Sequence, residues 1–315
     1  MILSISVSTA QSRFLPQIPM KSVRSLLGSR AISMIATLFG HAIHPLDAAV
    51  ISTNFFKQIS DKIGDASILN TRAIQEVNFP TSDGRLLHGY YIPAEMPTKN
   101  VTMFCHGRSG DVNYWCPSML ALQKGLQEHE KNTNLFMFDY RGYGKSEGNR
   151  PTRLTAPKDA YAAWCFLRAA SFKPENIHVV GHSTGSAVAQ KLVILLSHYR
   201  GENPASLTLA SSFLSPRAAT LSTKPDISSF KLWLVGEKIL NPEVMISQID
   251  PNIPVTFLHG ESDEYFRSHH SQDLFNLSKS HDRAMFLTHS KHIDIFQNLS
   301  KETLLRLTGL FNQQS

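Results

Sequence analysis

The stretch IHVVGHSTGSAVAQKL, residues 177–192, joins an apolar β-like run to an Ala/Leu/Val-rich helical pattern, with Gly181 and Gly185 bracketing Ser183 at the junction. Glycine there costs backbone entropy, so it should answer to a geometric need. The spacing G-x-S-x-G has two readings. In one, a strand-to-helix turn raises Ser183 as a nucleophile. In the other, a glycine-punctuated loop carries a serine in passing. The motif is short enough to recur by chance, so the surrounding chain has to decide.

Outward from this stretch, strand-like and helix-like segments alternate. Apolar or alternating runs occupy 73–79, 86–92, 101–105, 135–139, 177–180, 207–210, 255–258 and 284–287. Thr81, Ser82, Asp83 and Gly84 form a hairpin-like cluster between the first two. The later runs are short and continuously apolar, as strands buried on both faces are. Helical periodicity fills 114–129, 156–170, 186–196, 268–278 and 301–311. This alternation predicts an α/β fold with a mostly parallel eight-stranded sheet and helices on both faces. Residues 212–250 break the rhythm. With Trp233 among Leu232, Leu234 and Val235, they read as a small cap insertion or as a long connecting helix.

The first 46 residues differ in character: they hold Arg13, Lys21, Arg24 and Arg30 and no acidic residue before Asp47. Val23, Leu27, Met34 and Leu38 recur at helical spacing, so 22–39 reads as an amphipathic helix. Residues 1–72 are therefore expected to form an N-terminal helical extension to a domain spanning 73–315. This extension is suited to peripheral membrane contact, to service as an Arg/Ser-rich targeting segment, or to packing on that domain. Its uncharged stretch is too short and broken for a transmembrane span. The chain has 315 residues and carries 31 Lys+Arg against 25 Asp+Glu, for a net +6. Without a long basic run or interleaved aromatics, that balance gives no nucleic-acid signature. Cys105, Cys116 and Cys165 have neither disulfide-framework nor zinc-site spacing, which suits a reducing, cytoplasmic compartment.

A serine nucleophile needs a base and a carboxylate to orient that base. The carboxylate candidate is Asp263, in VTFLHGESDEYF (255–266), at the carboxyl end of a buried-looking strand where α/β sheets gather functional groups. Asp250, Glu261 and Glu264 compete with it. The base candidate is His292, in AMFLTHSKHIDIF (284–296), with His289 as its rival; His292 lies three residues deeper in the loop. The order Ser183, Asp263, His292, each after a strand, is far less expected by chance than any one motif. VTMFCHGRSGD (101–111) then turns at Gly107–Arg108. There a backbone N–H of Arg108 could pair with that of Thr184 as an oxyanion hole, each donor contributing about 2.7–4 kcal/mol to the transition state.

Taken together, His106-Gly107, FDYRGYGKSEG (138–148), Gly181-His182-Ser183-Thr184-Gly185 and His259-Gly260 followed by Asp263 resemble the alpha/beta-hydrolase superfamily from residue 73 onward. They are most similar to its alpha/beta hydrolase domain-containing branch of serine hydrolases. The resemblance implies cleavage of acyl esters or thioesters, including lipids and acylated proteins, through an acyl-serine, with no metal or organic cofactor. It gives Asp139 and Arg141 a structural turn rather than a catalytic role. One departure is Lys291 before His292, where the family often has glycine. The alternative is a catalytically silent member of the fold that binds membrane or a protein partner.

Overall fold

A computed structural model describes residues 74–224 and 240–307. The N-terminal extension and its helix over 22–39 lie outside the described residues, as does 225–239, the part of the cap segment that contains Trp233. Eight strands form one sheet: β1 (Gln75–Pro80), β2 (Leu86–Ile92), β3 (Val101–Cys105), β4 (Asn134–Phe138), β5 (Ile177–His182), β6 (Ser206–Ala210), β7 (Val255–Gly260) and β8 (Arg283–Thr288). Their order is β1-β2-β4-β3-β5-β6-β7-β8. β1 and β2 pair antiparallel and β2 is antiparallel to β4, while β3 to β8 are parallel.

The helices are α1 (Val112–Gln127), α2 (Thr155–Ala169), α3 (Thr184–Arg200), α4 (Pro216–Thr223), α5 (Pro242–Met245), α6 (His269–Leu277) and α7 (Lys301–Leu307). Every residue of β3, β4, β5, β6 and β7 is buried. This explains why these strands read as unbroken apolar runs: both faces carry helices. On one face α2, α3 and α6 cover a layer that includes Phe79, Phe136, Trp164 and Leu274. There the Phe136 and Phe166 rings stack with centroids 5.0 Å apart. On the other face α1 and α7 cover Phe104, Met119, Leu122 and Phe296. Among the described residues no helix is long and apolar enough to cross a membrane.

From β3 the chain goes first to β4 on one side and then to β5 on the other. β3 therefore lies between strands entered from opposite directions, with Cys105 in register with Gly181. Such a switch point opens a crevice at the strands' carboxyl ends, where open α/β sheets bind ligands.

The FDYRGYGKSEG loop is structural. The Arg141 guanidinium donates to buried Asp159 of α2 through Nη2 at 2.7 Å, and to Asp83 of the β1–β2 turn through Nη1 at 2.8 Å. Asp139 accepts the Val112 N–H at 2.9 Å, fixing the start of α1. The hydrogen bond from Arg141 holds the Asp83 carboxyl down at about 2, against an ordinary 3.8. We expect Arg141→Ala to cost about 3–5 kcal/mol in urea denaturation, because Asp159 is left buried without its partner. The Asp83 contribution should be complete above about pH 4 and be lost as the pH falls through about 2. Asp83→Asn should flatten the acid limb of the stability curve.

Candidate active site

Ser183 follows directly on β5 and caps α3, with φ 54° and ψ −120°. That backbone is unfavourable for a residue with a side chain and costs about 1–3 kcal/mol. Its surroundings enforce it. The Ser183 N–H donates to the Ala210 carbonyl at 2.9 Å, and its carbonyl accepts from the Ser186 N–H at 3.0 Å and the Ser186 hydroxyl at 2.5 Å. The two glycines permit the close approach. A Cβ on Gly181 would sit 2.6 Å from the Gly185 carbonyl oxygen and from Ser186 Cα, and one on Gly185 would overlap the carbonyls of Cys105 and His106. α3 can thus begin tight against the end of β3. Thr184, as the first residue of α3, presents an N–H with no carbonyl one turn earlier in the helix to receive it.

The loop after β7 holds Asp263. Its Oδ1 accepts the backbone N–H groups of Tyr265 at 2.9 Å and Phe266 at 2.8 Å, and its Oδ2 accepts His292 Nδ1–H at 2.7 Å. Burial pushes this carboxyl up, but the hydrogen bonds from His292 and from the two N–H groups outweigh it. The net effect is a value below the ordinary 3.8. Asp263 is therefore ionised near neutrality, which assigns the shared proton to His292 Nδ1. The backbone of His292 is held too: its N–H donates to the Glu264 carboxylate at 3.1 Å and its carbonyl accepts His182 Nε2–H at 2.8 Å.

The rivals fall elsewhere. The His289 side chain is 98% exposed and pairs with Glu261 at 2.6 Å. Asp250 accepts from Asn203 and Asn252. Ser183, Thr184, Arg108 and His292 line one cavity of about 880 Å³, with Asp263 buried against His292. Among the described residues no group of three or more His, Cys, Asp or Glu side chains is arranged to hold a metal ion.

Several residues that support the site escaped the sequence reading. Tyr143 donates its hydroxyl to the Arg108 carbonyl at 2.8 Å, and Trp115 Nε1–H donates to Ser109 at 3.0 Å, so the turn after β3 is pinned from two sides. The same turn passes so near the elbow that a Cβ on Gly107 would lie 3.2 Å from the Ser183 Cβ. His182, the variable residue of G-x-S-x-G, ties the elbow to the His292 loop across 110 positions of sequence. Its carbonyl partner can only accept, so Nε2 carries the proton. Burial holds this imidazole down to about 3, which keeps it neutral. His259 does similar work for the Asp263 loop: Nε2–H donates to the Phe266 carbonyl at 2.9 Å and Nδ1 accepts from the Ser271 hydroxyl at 2.7 Å. No spacing rule marks these residues, because their partners are fixed by the tertiary fold.

Residues 101–237 match a family model described as the alpha/beta hydrolase fold. "Uncharacterized protein YfhR" of Escherichia coli K12 is 29% identical over 253 residues, covering 79% of this chain and 82% of that protein. Human "Alpha/beta hydrolase domain-containing protein 17B" is 26% identical over 74% of each. Among solved structures, an alpha-beta hydrolase of Vibrio vulnificus superposes with TM-score 0.59 at 18% identity, covering 76% of this chain and 81% of that one. An esterase of Pyrococcus furiosus gives 0.56 at 18% identity over 76% and 90%.

The elbow makes a stability prediction that is independent of any reaction. Gly185→Ala drives a methyl group into backbone rather than into a movable side chain. It should lower the unfolding free energy by about 1–3 kcal/mol or more in chemical denaturation, as overpacking does. Wild-type stability in that variant would contradict the tight elbow.

Proposed function

We propose that this chain is a serine hydrolase of carboxylic esters or thioesters within the alpha/beta-hydrolase superfamily. One observation carries the reading: Ser183, on a strained elbow at the switch point, shares a cavity wall with His292, whose Nδ1–H is clamped to buried Asp263. A serine hydroxyl attacks an acyl carbon only if its proton is taken up as the bond forms. A neutral imidazole with a free Nε2 is the group that can take it.

In this mechanism Ser183 Oγ bonds to the acyl carbon while its proton passes to His292 Nε2. The negative charge that develops on the carbonyl oxygen is met by the N–H groups of Arg108 and Thr184, aided by the α3 N-terminus. Collapse breaks the bond to the leaving group, which receives the proton from His292. Water then attacks the acyl-serine with His292 again as base, releasing the acid and restoring the hydroxyl. Asp263 stays ionised throughout and stabilises the imidazolium in each half. The esterase likeness of the Pyrococcus furiosus structure agrees with this reading at the level of fold.

Kinetics of four purified variants on p-nitrophenyl esters of graded chain length test it. Ser183→Ala should lose about 10⁶ in kcat, and His292→Ala a comparable amount. Asp263→Asn should lose about 10⁴, because the amide stabilises the wrong tautomer of His292. His289→Ala should stay within about tenfold of wild type, since its side chain is in solvent and pairs with Glu261, a contact of small energetic weight. Near-normal turnover by Ser183→Ala would end the proposal, and an inactive His289→Ala beside an active His292→Ala would move the base.

A further inference from the structure

The cavity wall is divided. Towards α3 and α4 it is apolar: Ala187, Phe213 and Phe266 belong to a buried cluster with Met245, and Ala219 packs against it. Towards the turn after β3 and the loop between β4 and α2 it carries cations beside the rings of Trp115, Tyr140 and Tyr143. Arg108, Arg150 and Arg153 line that side, all three exposed, and Lys224, just past α4, adds a fourth cation to the lining. Among the described lining residues the only carboxylate is Glu264, and it is engaged in accepting the His292 backbone N–H at 3.1 Å. Residues 225–239 contain Asp226, Glu237, Lys231 and Lys238, so their formal charges cancel whatever their placement.

Opposite walls of this kind suit a substrate with an apolar end and an anionic end. An acyl chain gains by burial against Phe213 and Phe266, about 25 cal/mol per Å² of apolar surface. Arg108 directly follows Gly107, so its side chain springs from the same turn whose N–H would meet the oxyanion. An anion held by Arg108 and Arg150 would therefore lie at the cation-bearing side of the same cavity that holds the scissile carbonyl. Guanidinium groups pair with phosphate oxygens through parallel N–H donors, and several cations around one mouth also draw anions in.

We infer that the natural substrate is an acyl ester or thioester whose leaving group carries a phosphate, with the acyl chain on the α3–α4 wall and the phosphate on the Arg108–Arg150–Arg153 side. This rests on the serine-hydrolase reading and adds to it the charge and placement of the leaving group. The shared chemistry is a phosphate beyond the scissile bond; whether sulfur or oxygen links it is for the two experimental arms to resolve.

The test uses full-length protein and two matched substrate pairs. One pair is hexanoyl-coenzyme A against the hexanoyl thioester of N-acetylcysteamine, and the other is octanoylglycerol phosphate against octanoylglycerol. In at least one pair the phosphate-bearing member should have the higher kcat/KM by about tenfold or more at low ionic strength. That advantage should shrink as salt is raised, because the cations are exposed. Arg150→Gln and Arg150→Glu should reduce the ratio of anionic to neutral substrate stepwise, the reversal more than the neutralisation. The pair that shows the effect identifies the linkage. Equal or lower kcat/KM for the phosphate-bearing member in both pairs, or a ratio that Arg150→Glu leaves unchanged, overturns the inference while leaving the hydrolase reading in place. No turnover of any of the four, together with no acylation of Ser183, overturns both.

Discussion

The backbone of Ser183 is the constraint on which the site depends. At φ 54° and ψ −120° a serine is held where an ordinary residue would not stay, and the contacts of Ser183 with Ala210 and Ser186 hold it there. The strain is affordable only because Gly181 and Gly185 let α3 close onto the ends of β3 and β5. Once that closure is made, the turn through Gly107 must pass beside the serine, and Thr184 must present its N–H at the head of a helix. The proposed nucleophile and the proposed oxyanion donors are thus consequences of one tight junction.

Around this junction the molecule uses neutral buried imidazoles as rigid spacers. His106, His182 and His259 are all held down by burial, His106 to about 4, so none carries charge near neutrality. In each, one nitrogen donates to a backbone carbonyl: Gly107 for His106, His292 for His182 and Phe266 for His259. The His182 and His259 bonds tie the loop after β8 and the loop after β7 to the ends of β5 and β7, while the His106 bond braces the turn after β3 from within. A charged spacer beside His292 would compete for Asp263, whereas a neutral one fixes position without disturbing the charge balance. The Asp263–His292 pair thereby keeps one clear division of protons.

Much of this was legible in the sequence, for identifiable reasons. Strands buried on both faces leave continuous apolar runs, so β2 and β3 fall on the expected residues, while β5 and β7 run two residues further into the site than their apolar parts suggest. His182 and His259–Gly260 end those strands, and polar residues there read as loop. The preference for His292 over His289 came from depth in the loop, and the structure separates them by burial: one is clamped to Asp263 and the other is in solvent. Tyr143, Trp115, His182 and Ser271 were not legible, because each acts on a partner that only the folded sheet brings near. The cations that line the cavity were equally hidden. Arg108, Arg150, Arg153 and Lys224 come from three separate connections and gain meaning only when these meet at one opening.

The most direct test of the central claim is to locate a covalent adduct. Wild-type protein and the His292→Ala variant would be treated with a fluorophosphonate, digested and analysed by mass spectrometry. The account predicts a single modified peptide in the wild type, with the adduct on Ser183, and labelling slowed by orders of magnitude in His292→Ala. Modification at another residue, or equally fast labelling of Ser183 without His292, would contradict it.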